Sequence, residues 1–374
     1  PGFAYGVGQY QWGTNFLMGT PDGLVDPAIR GAVKTQMEFC LEVRFLNNKI
    51  GLTGTYWDGT ERDIPYKVTI SNYSGFTTKY LNTGEIAKRG IDLALNLKPV
   101  DNSKVSWDFN MTFSYLIKQE VVKIAEGVDK FVVETQWGRN EAPAMVHAVG
   151  RPWGELWGSG IAKDSATGLP LLTTKGSYVN DANVYFGNVL PKITGGIQNS
   201  VKIFKNFTVV ANLDYQFGGK FFSLSDMWGT YSGLTAQTSG LNDKGIPIRD
   251  PVEDGGGVHI FGVDQTSREP VDYYVDAQLY YHSLYDNKFY DSFVHDLTYI
   301  KLRELSIGYN IPMAKIGGIS KYIQSATFSL VSQNPWLIYA KTKDYDPSEI
   351  SRAGGEQGQF PGIRSFGANL KLNF

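Results

Sequence analysis

Few side chains in this 374-residue sequence combine type and spacing in a way that does covalent chemistry. The one cysteine, Cys40, cannot supply an internal disulfide or a multi-thiolate metal site. The four histidines, His147, His259, His282 and His295, show neither HxxxH nor HExxH spacing. The run Gly255, Gly256, Gly257 leads into Val258 and His259, not into the Lys and Ser or Thr of a phosphate-cradling loop. No GxSxG elbow or other nucleophile beside a base occurs. No catalytic residue, cofactor or metal is therefore expected. Two acidic pieces, Asp344, Asp346 and Glu349 and then Asp250, Glu253 and Asp254, carry oxygen ligands without the regular spacing of a calcium loop, and read as solvated acidic loops.

What remains is the chemistry of recognition. The stretch FFSLSDMWGTY gathers Phe221, Phe222, Trp228 and Tyr231, whose faces either stack on sugar rings or clasp peptide side chains, or else pack the loop against itself or a partner. A second set of candidates, Asp108, Asn110, Asn212, Asp214 and Gln216, consists of polar residues spaced two apart. That spacing belongs to strands, where successive side chains point to opposite faces.

Alternation is the dominant signal along the chain. Val105, Trp107, Phe109, Met111, Phe113 and Tyr115 form one face, and Ser106, Asp108, Asn110, Thr112 and Ser114 the other. Phe207 to Phe217 repeats the pattern with Leu213 and Tyr215 on the apolar side. About ten strands are predicted, near 35–46, 49–58, 84–98, 104–118, 150–162, 188–204, 207–220, 297–311, 322–334 and 362–374. In 299–311 the apolar phase slips at Arg303 and Glu304, which predicts a bulge. Links at Asn47 to Lys49, Asp101 to Ser103 and Lys205 to Asn206 are tight hairpin turns. The others, 118–149, 163–186, 221–296 and 341–361, are long and rich in Gly, Asp, Ser and aromatics.

Composition narrows the class. Charged residues are 19%, apolar residues 42%, and 35 basic against 37 acidic groups leave a charge of -2, which excludes nucleic acid as the main partner. The longest apolar run, Trp336 to Ala340, is far short of the roughly 20 residues of a membrane helix. A mean hydropathy of -0.23 is what a membrane β-barrel averages to, because its strands alternate. Long strands, aromatics near strand ends and loops of two sizes favour that barrel over a soluble sandwich. Leu370, Leu372 and Phe374 stand where the barrel-assembly signal of outer-membrane proteins would be read.

Several segments resemble the SusC-like (SusC/RagA) TonB-dependent transporters of the Bacteroidota outer membrane. TYIKLRELSIGYNIP (298–312) is similar to their late-barrel segment, and NTGEIAKRGIDLALN (82–96) to their "N.G.I.N.G.E..L" strand, with Lys88 and Asp92 departing from it. RFLNNKIGLTGTYWDGTERD (44–63), GRPWGELWG (150–158) and SQNPWLIYAKTKDYDPSE (332–349) resemble further family segments in family order. The resemblance implies an all-β chain, the C-terminal ten or so strands of a 22-stranded antiparallel transmembrane barrel. It also implies that the plug domain and N-terminal strands lie outside this chain, and that TonB acts through that missing N-terminal region. Implied partners are a SusD-like surface lipoprotein, an oligosaccharide or oligopeptide ligand and outer-membrane lipid. A passive porin and a soluble β-rich carbohydrate-binding protein are the alternatives.

Overall fold

The computed structural model describes residues 6–19, 23–69, 72–125, 127–136, 142–313, 316–318, 322–350, 352–360 and 362–374. Nine strands form one antiparallel meander in chain order: β1 Val33–Phe45, β2 Ile50–Thr69, β3 Thr78–Asp101, β4 Val105–Lys123, β5 Ile193–Ile203, β6 Phe207–Phe217, β7 Tyr299–Ile311, β8 Ser325–Ala340 and β9 Ser365–Asn373. A short strand, Gly23–Val25, pairs parallel with the start of β3. Two of the predicted hairpin turns sit in left-handed backbone, Leu46 to Asn48 and Phe204 to Lys205, and at the third Asn102 accepts from the amides of Lys104 and Val105.

Registers confirm the alternation residue by residue. Val105, Trp107, Phe109, Met111, Phe113 and Tyr115 lie opposite Ile203, Val201, Asn199, Ile197, Gly195 and Ile193, and these oppose Phe207 through Phe217 at every second residue. Gly195 is required here, because a side chain would run into the Tyr215 ring, whose hydroxyl donates to the Thr112 carbonyl at 2.8 Å.

Exposure decides between the barrel and the soluble sheet. A soluble sandwich packs its apolar face, whereas here Phe39, Leu41, Ile307, Leu330 and Leu370 are 49% to 69% exposed on the apolar side of the meander. A continuous apolar face of that extent is unsustainable in water and fits lipid. Rings gather near the strand ends, as in the Phe207 and Tyr309 pair at 4.6 Å. No helix among the described residues is long and apolar enough to cross a membrane.

One expectation is corrected. The strand near 150–162 is not part of the wall: Glu155–Ile161 pairs with Ala144–Ala148 and Asn180–Asn188 in a separate four-stranded sheet completed by Lys130–Thr135. It is buried on both faces, Glu155 and Ser159 included, and so has no lipid side. The long connections carry regular structure of their own. They fold into a cap with that sheet, two three-stranded sheets and the helices α1 Leu224–Tyr231 and α2 Ala277–Asp286. The cap has its own core, built from Leu156, Phe186, Phe222, Met227, Phe289 and Phe293.

The cap meets the wall at Tyr66 on β2 and Val121 on β4, packed with Ile124. His147, on Ala144–Ala148, is buried against the rings of Tyr66, Phe131 and Trp153 at 5.1 to 6.0 Å.

Two outcomes follow for the wall and its junction. Leu305→Arg, in the middle of β7 on the lipid side, is expected to destabilise the folded barrel by about 2 to 4 kcal/mol, measured by urea unfolding in lipid vesicles. Burial pushes the His147 imidazole down from 6.5 to about 4. The unfolded chain takes up that proton earlier than the folded one, so stability from the neutral ring is complete above pH 6.5 and is lost as pH falls from there toward 4. The loss amounts to about 3 kcal/mol. Hydrogen-exchange protection of Ala144–Ala148 should fall over this window in the native chain and lose the dependence in His147→Leu.

Candidate functional site

The five polar candidates lie on one face of the wall, opposite the lipid side. The ladder places Asn110, Gln198, Asn212 and Glu304 in one row across β4 to β7, and Thr112, Gly196, Asp214 and Lys301 in the next. The wall satisfies most of these groups itself. Asn212 donates to Glu304 at 3.1 Å, Gln216 donates to the Leu297 carbonyl at 3.3 Å, and Asp108 lies 3.5 Å from the Lys98 ammonium.

The predicted bulge lies at Arg303, which is skipped between the pairs Asn212 with Glu304 and Leu213 with Leu302. The extra residue turns Arg303 to the polar face, where its Nε donates to Asp214 Oδ2 at 2.9 Å and its Nη1 to Glu349 Oε1 at 2.8 Å. Tyr299 donates to the same Asp214 oxygen at 3.0 Å. Beside it Lys301, 2% exposed, donates to Asp346 Oδ2 at 2.7 Å and to Ser348 Oγ and Glu349 Oε1, both at 2.9 Å. Two cations of β7 thus hold the acids of the β8 to β9 connection. Asp346 and Glu349 are therefore ion-paired, not solvated. Burial works against ionisation of Asp346, but hydrogen bonds from Lys301 and Ser348 outweigh it and hold the carboxyl below 3.8. Glu349 is held below 4.5 first by Lys301 and then by Arg303, against the cost of burial.

A similar junction marks the β6 to β7 connection. Asp296 accepts from Lys220 at 3.2 Å and Lys341 at 3.0 Å. Burial opposes its ionisation, yet these bonds and those from Thr298 bring it down to about 2. Inside the cap, Glu356 accepts from the Ser225 amide at 2.9 Å and from the hydroxyls of Ser223 and Ser225, placing a carboxylate at the positive end of α1. Asp226, in the first turn of α1, is 2.8 Å from His295 Nε2.

The aromatic candidates divide. Phe222 is 0% exposed and packs edge-on against Tyr290 in the cap core, so it offers no contact surface; the packing reading holds for this residue. Trp228 and Tyr231 lie near the cap surface in one aromatic cluster with Tyr285 and His282, and Tyr231 stacks on His282 at 4.2 Å. A cleft of about 380 Å³ opens beside Tyr231 and His282, flanked by Arg249, Asp276, Gln278 and Tyr281. Its size suits a small ligand or one unit of a larger one. The structure therefore separates the candidates into a polar wall and a cap cleft. At the chain's end, Leu370 and Leu372 pair with Phe328 and Ala326 on the apolar side of β9, and Phe374 follows the strand directly.

Sequence reasoning missed Lys301 and Arg303 as anchors. The slip of phase at Arg303 was their one visible trace, because it brings a third polar residue to a face that should alternate.

No family model matches the chain. It is 20% identical over 368 residues to TonB-dependent receptor P3 of Formosa agariphila, covering 91% of this chain and 34% of that protein. It is 21% identical over 398 residues to TonB-dependent receptor P26 of the same organism, covering 96% and 36%. The chain thus spans about a third of the length of the curated relatives it matches. Among solved structures, the RagAB peptide transporter superposes with a TM-score of 0.69 at 17% identity, over 100% of this chain and 38% of that one. The RagAB peptide importer in its "closed-closed" state gives 0.69 at 18%, with the same coverage. The likeness to these structures is one of fold.

Replacing Lys301 by Met leaves two carboxylates facing the wall without their ammonium, a change expected to cost about 3 to 5 kcal/mol locally. Limited proteolysis should cut residues 341–350 in Lys301→Met at pH 7, where the native chain resists. In the native chain the acid pairs contribute fully above their ordinary values of 3.8 and 4.5 and are lost below these as pH falls through the depressed folded values, so cutting there should begin only at stronger acidity.

Proposed function

We propose that this chain, a SusC/RagA-like stretch of TonB-dependent receptor barrel, is the C-terminal portion of an outer-membrane importer that takes up oligosaccharides or oligopeptides. The observation that carries the reading is the nine-strand wall, with an exposed apolar side, a continuous polar side and a folded cap joined to it by ion pairs. The apolar side belongs in lipid and the polar side lines the interior, where the rest of the barrel and a plug would stand. Energy comes from TonB acting on that plug, and a SusD-like surface lipoprotein closes over the cap. The chain binds and guides, and none of its residues breaks a bond. Leu370, Leu372 and Phe374 serve barrel assembly, and the cell location is the outer membrane of a Gram-negative bacterium.

The names of the similar proteins support this reading: the relatives are TonB-dependent receptors and the superposed structures are peptide transporters. For the wall's polar candidates Asp108, Asn110, Asn212, Asp214 and Gln216, the internal hydrogen bonds and ion pairs favour plug contact and hydration over direct ligand contact. Tyr231, which lines the cap cleft, is the better placed for ligand, with Trp228 packed edge-on against it.

The test is energised uptake. Cells deleted for the full-length gene should lose growth on the imported nutrient, and re-expression should restore it. A protonophore should stop uptake into these cells without changing barrel abundance in the membrane. Uptake that continues after the proton gradient collapses would identify a passive pore and sink the importer reading.

A further inference from the structure

The polar side of β1 to β3 carries a feature the rest of the wall lacks: a tryptophan laid flat on it. Trp57 pairs with Gly90 across β2 and β3, and its ring lies over that glycine so closely that a side-chain carbon there would stand 2.3 Å from Trp57 Cζ2 and 2.7 Å from Cε2. The glycine therefore lets the indole lie close against the β3 backbone. Gly59, between Gln36 on β1 and Lys88 on β3, deepens the surface beside it. The result is a depression of about 430 Å³, within the usual range for ligand sites.

Hydrogen-bonding groups share the depression with the indole. Glu38 lies opposite Trp57 on β1, and Thr55 and Asp92 face each other one step toward the short-turn end. Lys88 is 2.7 Å from Glu61, Glu38 accepts from the neutral amide of Gln36, Asp92 accepts from the hydroxyl of Ser114, and Lys34 lines the same depression. Such a rim has donors and acceptors to share and carries charges of both signs, so a cationic side chain would meet Lys34 and Lys88.

We propose that this depression is a saccharide subsite, with one neutral pyranose ring stacked on Trp57 and its hydroxyls bonded to Gln36, Glu38, Thr55 and Asp92. The proposal rests on the import reading above and names its substrate class. Elimination supports it. A pyranose presents an apolar C–H face to the indole and a rim of hydroxyls that donate and accept at once, so nothing on the wall is left unpaired. An aliphatic peptide side chain would cover the indole but strip water from the surrounding amide and carboxylates without replacing it, which is costly. An anionic sugar or peptide terminus would meet Glu38, Glu61 and Asp92.

Full-length protein in detergent, titrated with maltohexaose, cellohexaose and xylohexaose and, in parallel, with penta-alanine and penta-arginine, tests the assignment by calorimetry and indole fluorescence. At least one saccharide should bind. Trp57→Ala should weaken it about tenfold, Gly90→Ala should weaken it too by pushing the ring off its seat, and Trp57→Phe should restore most of the affinity. Heat-modifiable migration on gels establishes that each variant is a folded barrel. Failure of every saccharide to bind, unchanged affinity in Trp57→Ala, or selective loss of peptide binding in that variant overturns the subsite. None of these results touches the importer reading, which stands or falls on energised uptake by the native protein.

Discussion

A buried ammonium cannot stay unpaired in a protein, and Lys301 on the polar side of β7 is almost fully buried. Its presence obliges something to cover it, and the covering segment is the β8 to β9 connection, which delivers Asp346, Ser348 and Glu349 to it. Arg303 shares Glu349 and ties the same cluster back to Asp214 on β6. One bulged residue thus joins two wall strands and a long connection. The cap's position over the wall depends on this cluster and on the apolar junction around His147. The two are complementary: one is directional and charged, the other apolar and tolerant of small shifts.

The wall was largely legible because its physics is one-dimensional. A strand between lipid and a polar interior must alternate, and β4 and β6 do so at nearly every residue, so both their existence and their inward faces could be read directly. The bulge at Arg303 was legible for the same reason, as a break in the period. The anchor itself was not. Asp346 and Glu349 lie 45 and 48 residues from Lys301, and acids beside Pro347 look solvated until the wall brings the cation to them. The cap was hidden for a different reason. Its strands are short, and Glu155–Ile161, buried on both faces, carries no alternation to separate it from a wall strand or a loop. Phe222 and Tyr231, nine residues apart in one aromatic run, end up in a dry core and beside an open cleft respectively.

Division of labour follows from these placements. The wall supplies rigidity through continuous ladders, and most of the polar groups named on β4 to β7 are satisfied within it. The cap, by contrast, gathers aromatic and charged groups on surfaces held by a separate core. Changes in the cap surface can therefore be made without disturbing how the wall is built, as is usual for connections above a rigid scaffold.

The length of β3 has a geometric consequence. Its 24 residues, rising about 3.3 Å each and tilted about 40°, climb roughly 60 Å, while the apolar band of an outer-membrane barrel is only about 25 Å tall. More than half of the strand's height thus stands clear of the hydrocarbon, like a chimney above a roof. A cap carried at that height can change shape without bending the bilayer that holds the barrel.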